Sequence, residues 1–184
     1  MGQGLSFRPG RGDYYYLTYK SPHGDVTFLK PTSYMNLSGV PIRQIQEVRD
    51  LSPQNILIVC DDVALPLGAL RIRRMGSDGG HKGLASVIAE LGSEQVPRLR
   101  IGIYTGDWPG ELSDYVLTEI PSAHHRDVDT VLSACSQALD CILDQGLGPA
   151  MSRFNRNVLA SDEEDGPDSG GASFHGPAQQ GSDS

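Results

Sequence analysis

The chain has 184 residues, one ordinary domain with room for a tail, and its 38% hydrophobic and 21% charged residues allow a modest core. A formal charge of −8 argues at first sight against a nucleic-acid partner. However, residues 160–184 hold six acids and neither Lys nor Arg, which leaves 17 acids against 15 bases in residues 1–159. No apolar run approaches the roughly 18 residues of a membrane span, and Cys60, Cys135 and Cys141 form neither a disulfide framework nor a metal-ligand spacing, which suits a reducing cytosol.

At the amino end, Met1-Gly2-Gln3-Gly4-Leu5-Ser6 fits a loose myristoylation pattern. A glycine-rich start meets that pattern by chance, and nothing nearby supplies a second anchoring signal. No basic segment leads into an apolar one, so no signal peptide is visible. Residues 1–12 lack the alternation of a strand. Tyr14 to Tyr19 and Val26 to Leu29 are aromatic and β-branched runs around Ser21-Pro22-His23-Gly24-Asp25, which predicts a hairpin. Ser38 is placed to cap, and Pro41 to open, a helix to about Arg49 with Ile42, Ile45 and Val48 on one face.

Ile56 to Cys60 is a continuous apolar run, the pattern of a strand buried on both faces, with Asp61-Asp62 at its carboxyl end. Leu65 to Gly68 turns the chain. Ala69 to Arg73 then alternates apolar and basic residues, so one face is buried and the other presents guanidinium groups. A glycine loop, Gly76 to Gly83, precedes a helix marked by Leu84, Val87, Ile88 and Leu91 and stopped by Gly92. Leu99 to Tyr104 reads as a strand. Pro121-Ser122 introduces a long helix with Val128, Val131, Leu132, Cys135, Leu139, Ile142 and Leu143 on its buried stripe, and Pro149 opens a short one through Phe154. The order implies α/β: a single domain over residues 1–159, a mixed sheet with helices packed on it. Residues 160–184, acidic and rich in Ser, Gly and Pro, read as a disordered tail.

Several features bear chemistry, each beside a plainer reading. Asp61-Asp62 could supply a carboxylate that orients or charges a catalytic partner or binds a metal; equally, an Asp there ties down loop backbone. The segment Gly76-Ser77-Asp78-Gly79-Gly80-His81-Lys82-Gly83 matches neither the P-loop nor the dinucleotide fingerprint. It does let a bulky partner approach the backbone before a helix N-terminus, which attracts anions. Arg71, Arg73, Arg74, Lys82, Arg98 and Arg100 face only three acids in residues 69–105, either a phosphate-contacting surface or a solvated strand face. Tyr34-Met35-Asn36 stands at a helix entrance, where an amide could hold a water or a carbonyl oxygen or merely form a turn. No Gly-x-Ser-x-Gly elbow supports a serine triad, and His23, His124, His125 and His175 read as solvent-exposed.

Taken together the motifs resemble the bacterial-type peptidyl-tRNA hydrolase family, from about Thr27 to Arg156. Lys30-Pro31-Thr32-Ser33-Tyr34-Met35-Asn36-Leu37-Ser38-Gly39 is similar to its Pro-x-x-Tyr/Phe-Met-Asn-x-Ser-Gly motif, and Val59 to Gly68 to its Asp-bearing strand with Leu-Pro-x-Gly. Gly76 to Leu84 is similar to its glycine loop, Arg98-Leu99-Arg100-Ile101-Gly102-Ile103 to its Arg-x-Arg-Ile-Gly-Ile strand, and Asp114 to Leu117 to its Tyr/Phe-Val-Leu stretch.

The resemblance implies an esterase that splits peptide from the 3′-terminal ribose of tRNA. In that family a His serves as general base on water and an Asp holds its imidazole. Asp61 is then the catalytic-site carboxylate that orients the base. Asn36 binds substrate near the ester, with Tyr34 and Met35 lining the groove. Gly79, His81 and Lys82 bind substrate, Lys82 standing where many relatives have Asn, and Arg73 faces the tRNA. A Lys cannot accept a hydrogen bond, so Lys82 suits phosphate or carbonyl contact better than holding water. The resemblance also implies no cofactor, no metal, no membrane and a cytoplasmic monomer. The family's first strand and its Arg-His-Asn-x-Gly motif, which carries the base, have no counterpart in residues 1–12. The expectation is therefore an N-terminally truncated hydrolase with little or no activity as it stands. The alternatives are a non-catalytic binder of tRNA acceptor ends and, setting the resemblance aside, a small anion-binding domain whose tail serves protein contacts.

Overall fold

The computed structural model describes residues 5–106, 110 and 112–160. The opening of the myristoylation-like motif and, beyond Ala160, the tail lie outside them. The expected hairpin forms: β2 (Tyr14–Ser21) and β3 (Gly24–Pro31) pair antiparallel through eight residues each. The turn at Pro22-His23 is closed by Ser21, whose hydroxyl donates to Gly24 O at 2.7 Å. One strand was not expected. Arg8–Pro9, β1, pairs with Tyr15 and Tyr16 of β2, because edge pairing needs only backbone groups and tolerates Pro.

The second sheet has the order β4 (Ile58–Pro66), β6 (Arg98–Tyr104), β5 (Leu70–Arg73). β4 runs parallel and β5 antiparallel to β6, the mixed sheet expected. Two apolar clusters cover it. Leu70, Ile72 and Leu99 pack on α4 (His125–Gln145) and α5 (Leu147–Phe154) through Val131, Cys135, Ala138, Cys141, Ala150 and Phe154. Ile42 of α1 (Gly39–Arg49) and Val87 of α2 (Lys82–Leu91) join Val96, Leu29 and Ile58 in the other. The short α3 (Leu112–Leu117) is tied to the end of β6 by the Tyr115 hydroxyl, which accepts from Thr105 N–H at 3.0 Å and donates to Ile103 O at 2.7 Å.

Five expectations need correction. Val48 does not share the buried face of α1: it is 84% exposed in the last turn, while Ile42 is buried. Asp61 and Asp62 lie inside β4, which continues to Pro66, rather than at its end. β4 is not buried on both faces. It pairs only with β6 among the described residues, and Val59 is 48% exposed because the α4–α5 layer packs on β5 and β6. Leu132 is exposed: the face of α4 that meets the sheet is centred on Val131, Cys135 and Ala138. Ser38 does not cap α1 with its side chain, since it already has helical dihedrals at the end of a 3-10 turn, Met35–Leu37.

The two edges of the sheet differ. β5 is sealed by the chain after α5. Asn155 takes the part of a neighbouring strand, its carboxamide accepting Ile72 N–H at 2.5 Å and donating to Ile72 O at 3.1 Å. Leu70 N–H reaches Arg156 O at 3.0 Å. Such pairing satisfies groups that an open edge leaves to solvent or to another strand.

Candidate active site

β4 sets the acids. Successive strand residues point to opposite sides, so adjacent aspartates meet different surroundings. Asp62 is 8% exposed. It forms an ion pair with the Arg100 guanidinium and accepts Ala64 N–H at 2.9 Å. That second bond is the loop-backbone role weighed for this acid pair, and it falls to Asp62. Asp61 stays half-exposed. The strand register shifts between Asp62 and Pro66, and this irregularity brings Pro66 O over Gly102, where any Cβ would collide with it. A residue without a side chain is therefore required there.

The glycine loop brings the partner of Asp61. Gly76, Gly79 and Gly80 all have positive φ. Asp78 braces the turn: its carboxylate accepts Gly80 N–H at 2.8 Å and its carbonyl accepts His81 N–H at 3.1 Å. His81 then caps α2, Nδ1 accepting Leu84 N–H at 3.1 Å. Because Nδ1 accepts, the ring hydrogen sits on Nε2, which lies 3.5 Å from Asp61 Oδ1. The hydrogen bond from His81 holds the Asp61 carboxyl below its ordinary range, against desolvation, and the same bond holds His81 above its ordinary value. Burial, helped by the charge of Asp61, pushes the neighbouring Cys60 thiol up to about 11, so it stays protonated and inert at neutral pH.

The Tyr34–Asn36 turn is pressed against the same end of α2. Gly39 N–H donates to Ser86 Oγ at 3.0 Å, and a Cβ on Gly39 would strike Ser86 O. A Cβ on Gly83 would lie 2.5 Å from Met35 Sδ and 3.0 Å from His81 Cε1. Met35, Gly83, His81 and Asp61 are thus contiguous. Tyr34, Met35 and Asn36 are exposed on the turn, and Lys82 is exposed at the first position of α2. Gly79 lies over Arg100, its missing Cβ 3.7 Å from Nη2.

Arg73 is not in this cluster. It is level with Arg98 and Ile58, three residues along and two strands across from Asp61, about 14 Å away. The basic segment is also smaller than its composition suggested. Arg98 is 2% exposed and Arg100 is committed to Asp62, which leaves Arg71, Arg73, Arg74 and Lys82 to face outward. The roles of these two arginines escaped the sequence reading; the signal was their i, i+2 spacing opposite Leu99 and Ile101, which assigns both guanidinium groups to one face. His23 is not merely solvated either: its Nε2 meets Asp144 Oδ1 at 3.1 Å, joining the hairpin to α4.

A family model described as peptidyl-tRNA hydrolase matches residues 4–162. The peptidyl-tRNA hydrolase of Chlorobaculum tepidum is 36% identical over 153 residues, covering 83% of this chain and 82% of its own length. That of Gloeobacter violaceus is 41% identical over 140 residues, covering 76% and 71%. A crystal structure of peptidyl-tRNA hydrolase from Acinetobacter baumannii superposes with a TM-score of 0.74 at 25% identity, covering 84% of this chain and 79% of that one. On matches that span most of its length, the chain belongs to the peptidyl-tRNA hydrolase family.

Proposed function

We propose that this chain hydrolyses the ester between peptide and tRNA in peptidyl-tRNA, with Asp61 at the centre of the reaction site. The observation that carries the reading is the contiguity of Asp61, His81 and Met35 at the N-terminus of α2. A carboxylate held ionised beside an exposed turn suits the orientation of an imidazole base. Asn36 holds the ester end of the substrate, Tyr34 and Met35 line the groove, and Gly79, His81 and Lys82 contact the ribose and phosphates beyond it. Arg73, about 14 Å away by strand register, meets a phosphate further along the acceptor stem. The protein works as a cytoplasmic monomer without metal; no described helix is long and apolar enough to cross a membrane.

The base that activates water is an imidazole other than His81. The lone pair of His81 is occupied by Leu84 N–H, and a base needs a free one directed at the water. Asp61 is a poor substitute, because lowering its pKa lowers its basicity. Asp61 is the carboxylate that orients this imidazole. Comparing peptidyl-tRNA turnover by the parent chain and by Asp61→Asn tests this. Asp61→Asn turns over about 100-fold slower or more, with little change in affinity, because the base loses its orienting partner. Equal turnover by the two removes Asp61 from the reaction. Tight binding without turnover by the parent means a non-catalytic binder.

A further inference from the structure

Arg98 is an expensive residue for its position. It is 2% exposed, and among the described residues no carboxylate forms an ion pair with it. Burial, and after it the like charge of Arg100, pulls its pKa below the ordinary value, and an apolar side chain would fill the space without that cost. What a guanidinium adds is a planar fork of five donors, and four of them meet backbone carbonyls. Nη1 donates to Gly76 O at 2.7 Å and Ser77 O at 2.9 Å, Nη2 to Glu94 O at 3.3 Å, and Nε to Val96 O at 2.9 Å. The first two carbonyls precede α2 and the last two follow it. One side chain on β6 therefore fastens both ends of the α2 excursion, and Gly76 N–H to Glu94 O at 3.2 Å closes the ring. From Ser77 the constraint passes directly to Asp78, which holds His81 and Gly80.

We propose that Arg98 is a positioning residue of the hydrolase site: by fixing the Gly76 and Ser77 carbonyls it sets where the glycine loop delivers His81 to Asp61 and Gly79 and Lys82 to the substrate. This rests on the reading of that loop as substrate-contacting. Arg98→Gln and Arg98→Lys in the full chain test it by two measurements, the titration of the His81 ring by NMR and the affinity for a tRNA acceptor-stem minihelix. In Arg98→Gln the His81 pKa falls back toward that of an ordinary histidine. The minihelix Kd rises about tenfold, the cost of roughly one lost hydrogen bond, at unchanged stoichiometry. Arg98→Lys, with three donors for four carbonyls, lies between. A merely structural Arg98 lowers the melting temperature and the binding-competent fraction but leaves the His81 titration and the Kd as they were, and that result overturns the proposal. Gly76→Ala covers the case in which neither arginine variant folds. It strains the loop at φ +141°, where the added Cβ meets Arg98 Nη1 at 3.5 Å, and it shifts the His81 titration in the same direction; an unshifted titration counts against the proposal equally. A parent chain that fails to bind the minihelix sinks the reading of the loop, while the His81 measurements still judge Arg98.

Discussion

His81 faces Asp61 through Nε2 at 3.5 Å and the Leu84 amide through Nδ1 at 3.1 Å, and the two contacts make opposite demands. Asp61 favours the imidazolium. The Leu84 amide favours the neutral ring, because an imidazolium has no lone pair to accept its hydrogen. The contact with Asp61 prevails, and His81 titrates above the ordinary 6.5 while Asp61 titrates below the ordinary 3.8.

The pH dependence follows from these directions. The part due to Asp61 is complete above 3.8 and lost as pH falls through its lowered value. The part due to His81 is complete below 6.5 and lost as pH rises through its raised value. The stabilising effect of the pair is therefore greatest between 3.8 and 6.5. In Asp61→Asn the His81 pKa should return toward 6.5, and the stability difference from the parent should shrink as pH rises above that window. The Leu84 amide resonance should titrate together with His81 as it loses its acceptor. Two-dimensional NMR across pH 4–9 measures both, and a His81 pKa indifferent to Asp61→Asn refutes the coupling.

Asp62 and Arg100 form the buried pair beneath the site. Removing one partner leaves the other charge uncompensated, a loss of 3–5 kcal/mol for fully buried pairs. Arg100 keeps a third of its side chain exposed, so Asp62→Ala should cost about 3 kcal/mol. Asp62→Asn should cost less, since it preserves the acceptor for Ala64 N–H. Urea unfolding compares them, and a loss under about 1 kcal/mol for the alanine variant, the worth of an exposed pair, would show that Asp62 is already solvated.

Two glycines give opposite forecasts for the same substitution. Gly39→Ala drives a methyl into Ser86 O, a backbone atom that moves only if α1 and α2 separate. It should destabilise by about 2–3 kcal/mol, the cost of overpacking a rigid contact. Gly83→Ala meets the flexible, half-exposed end of Met35 and, less closely, the edge of the His81 ring, which must give by a few tenths of an ångström, while alanine in a helix regains up to about 1 kcal/mol. Stability should hardly change, yet Met35 must leave its seat, so minihelix or peptidyl-tRNA binding should weaken. Thermal unfolding and binding titrations on both variants separate the two cases; equal losses of stability would refute the contrast.

The local architecture was legible where period and turn chemistry speak for themselves. Pro22-His23-Gly24 between β-branched runs specified the hairpin, and alternation in Leu70-Arg71-Ile72-Arg73 specified a half-buried strand. The motifs also named segments that the structure brings together: the Met35 turn, the glycine loop and Asp61 meet. What was not legible depends on neighbours distant in sequence. An apolar run such as Ile56 to Cys60 reads as doubly buried whether or not both faces are covered, and only the placement of α4 and α5 over β5 and β6 shows that Val59 is left outside. Charge is equally ambiguous. Arg73 and Arg98 look alike in the chain and stand opposite each other across β5 and β6, yet one is exposed and the other is buried against four carbonyls.

The role proposed for Asp61, orienting an imidazole, requires no metal. A chelator should leave minihelix binding and any turnover unchanged. Loss of turnover that zinc or magnesium restores would move Asp61 from orienting an imidazole to ligating a metal.

Arg73 gives the sharpest test of the proposed RNA-facing surface, because its expected effect is electrostatic and nothing else. Each phosphate that a basic side chain neutralises releases condensed counterions, and the logarithm of affinity falls with the logarithm of salt at about 0.9 per contact on a duplex. Arg73 is exposed at the end of β5 and packs in neither core cluster. Arg73→Ala should therefore leave unfolding within about 0.5 kcal/mol of the parent, reduce the salt slope of minihelix binding by about one, and weaken binding alike for minihelices of different sequence. The decisive measurement is affinity at several salt concentrations, since one concentration cannot separate a lost phosphate contact from a lost base contact. A slope equal to the parent's would take Arg73 off the tRNA surface and shift the electrostatic contact to Arg71, Arg74 and Lys82.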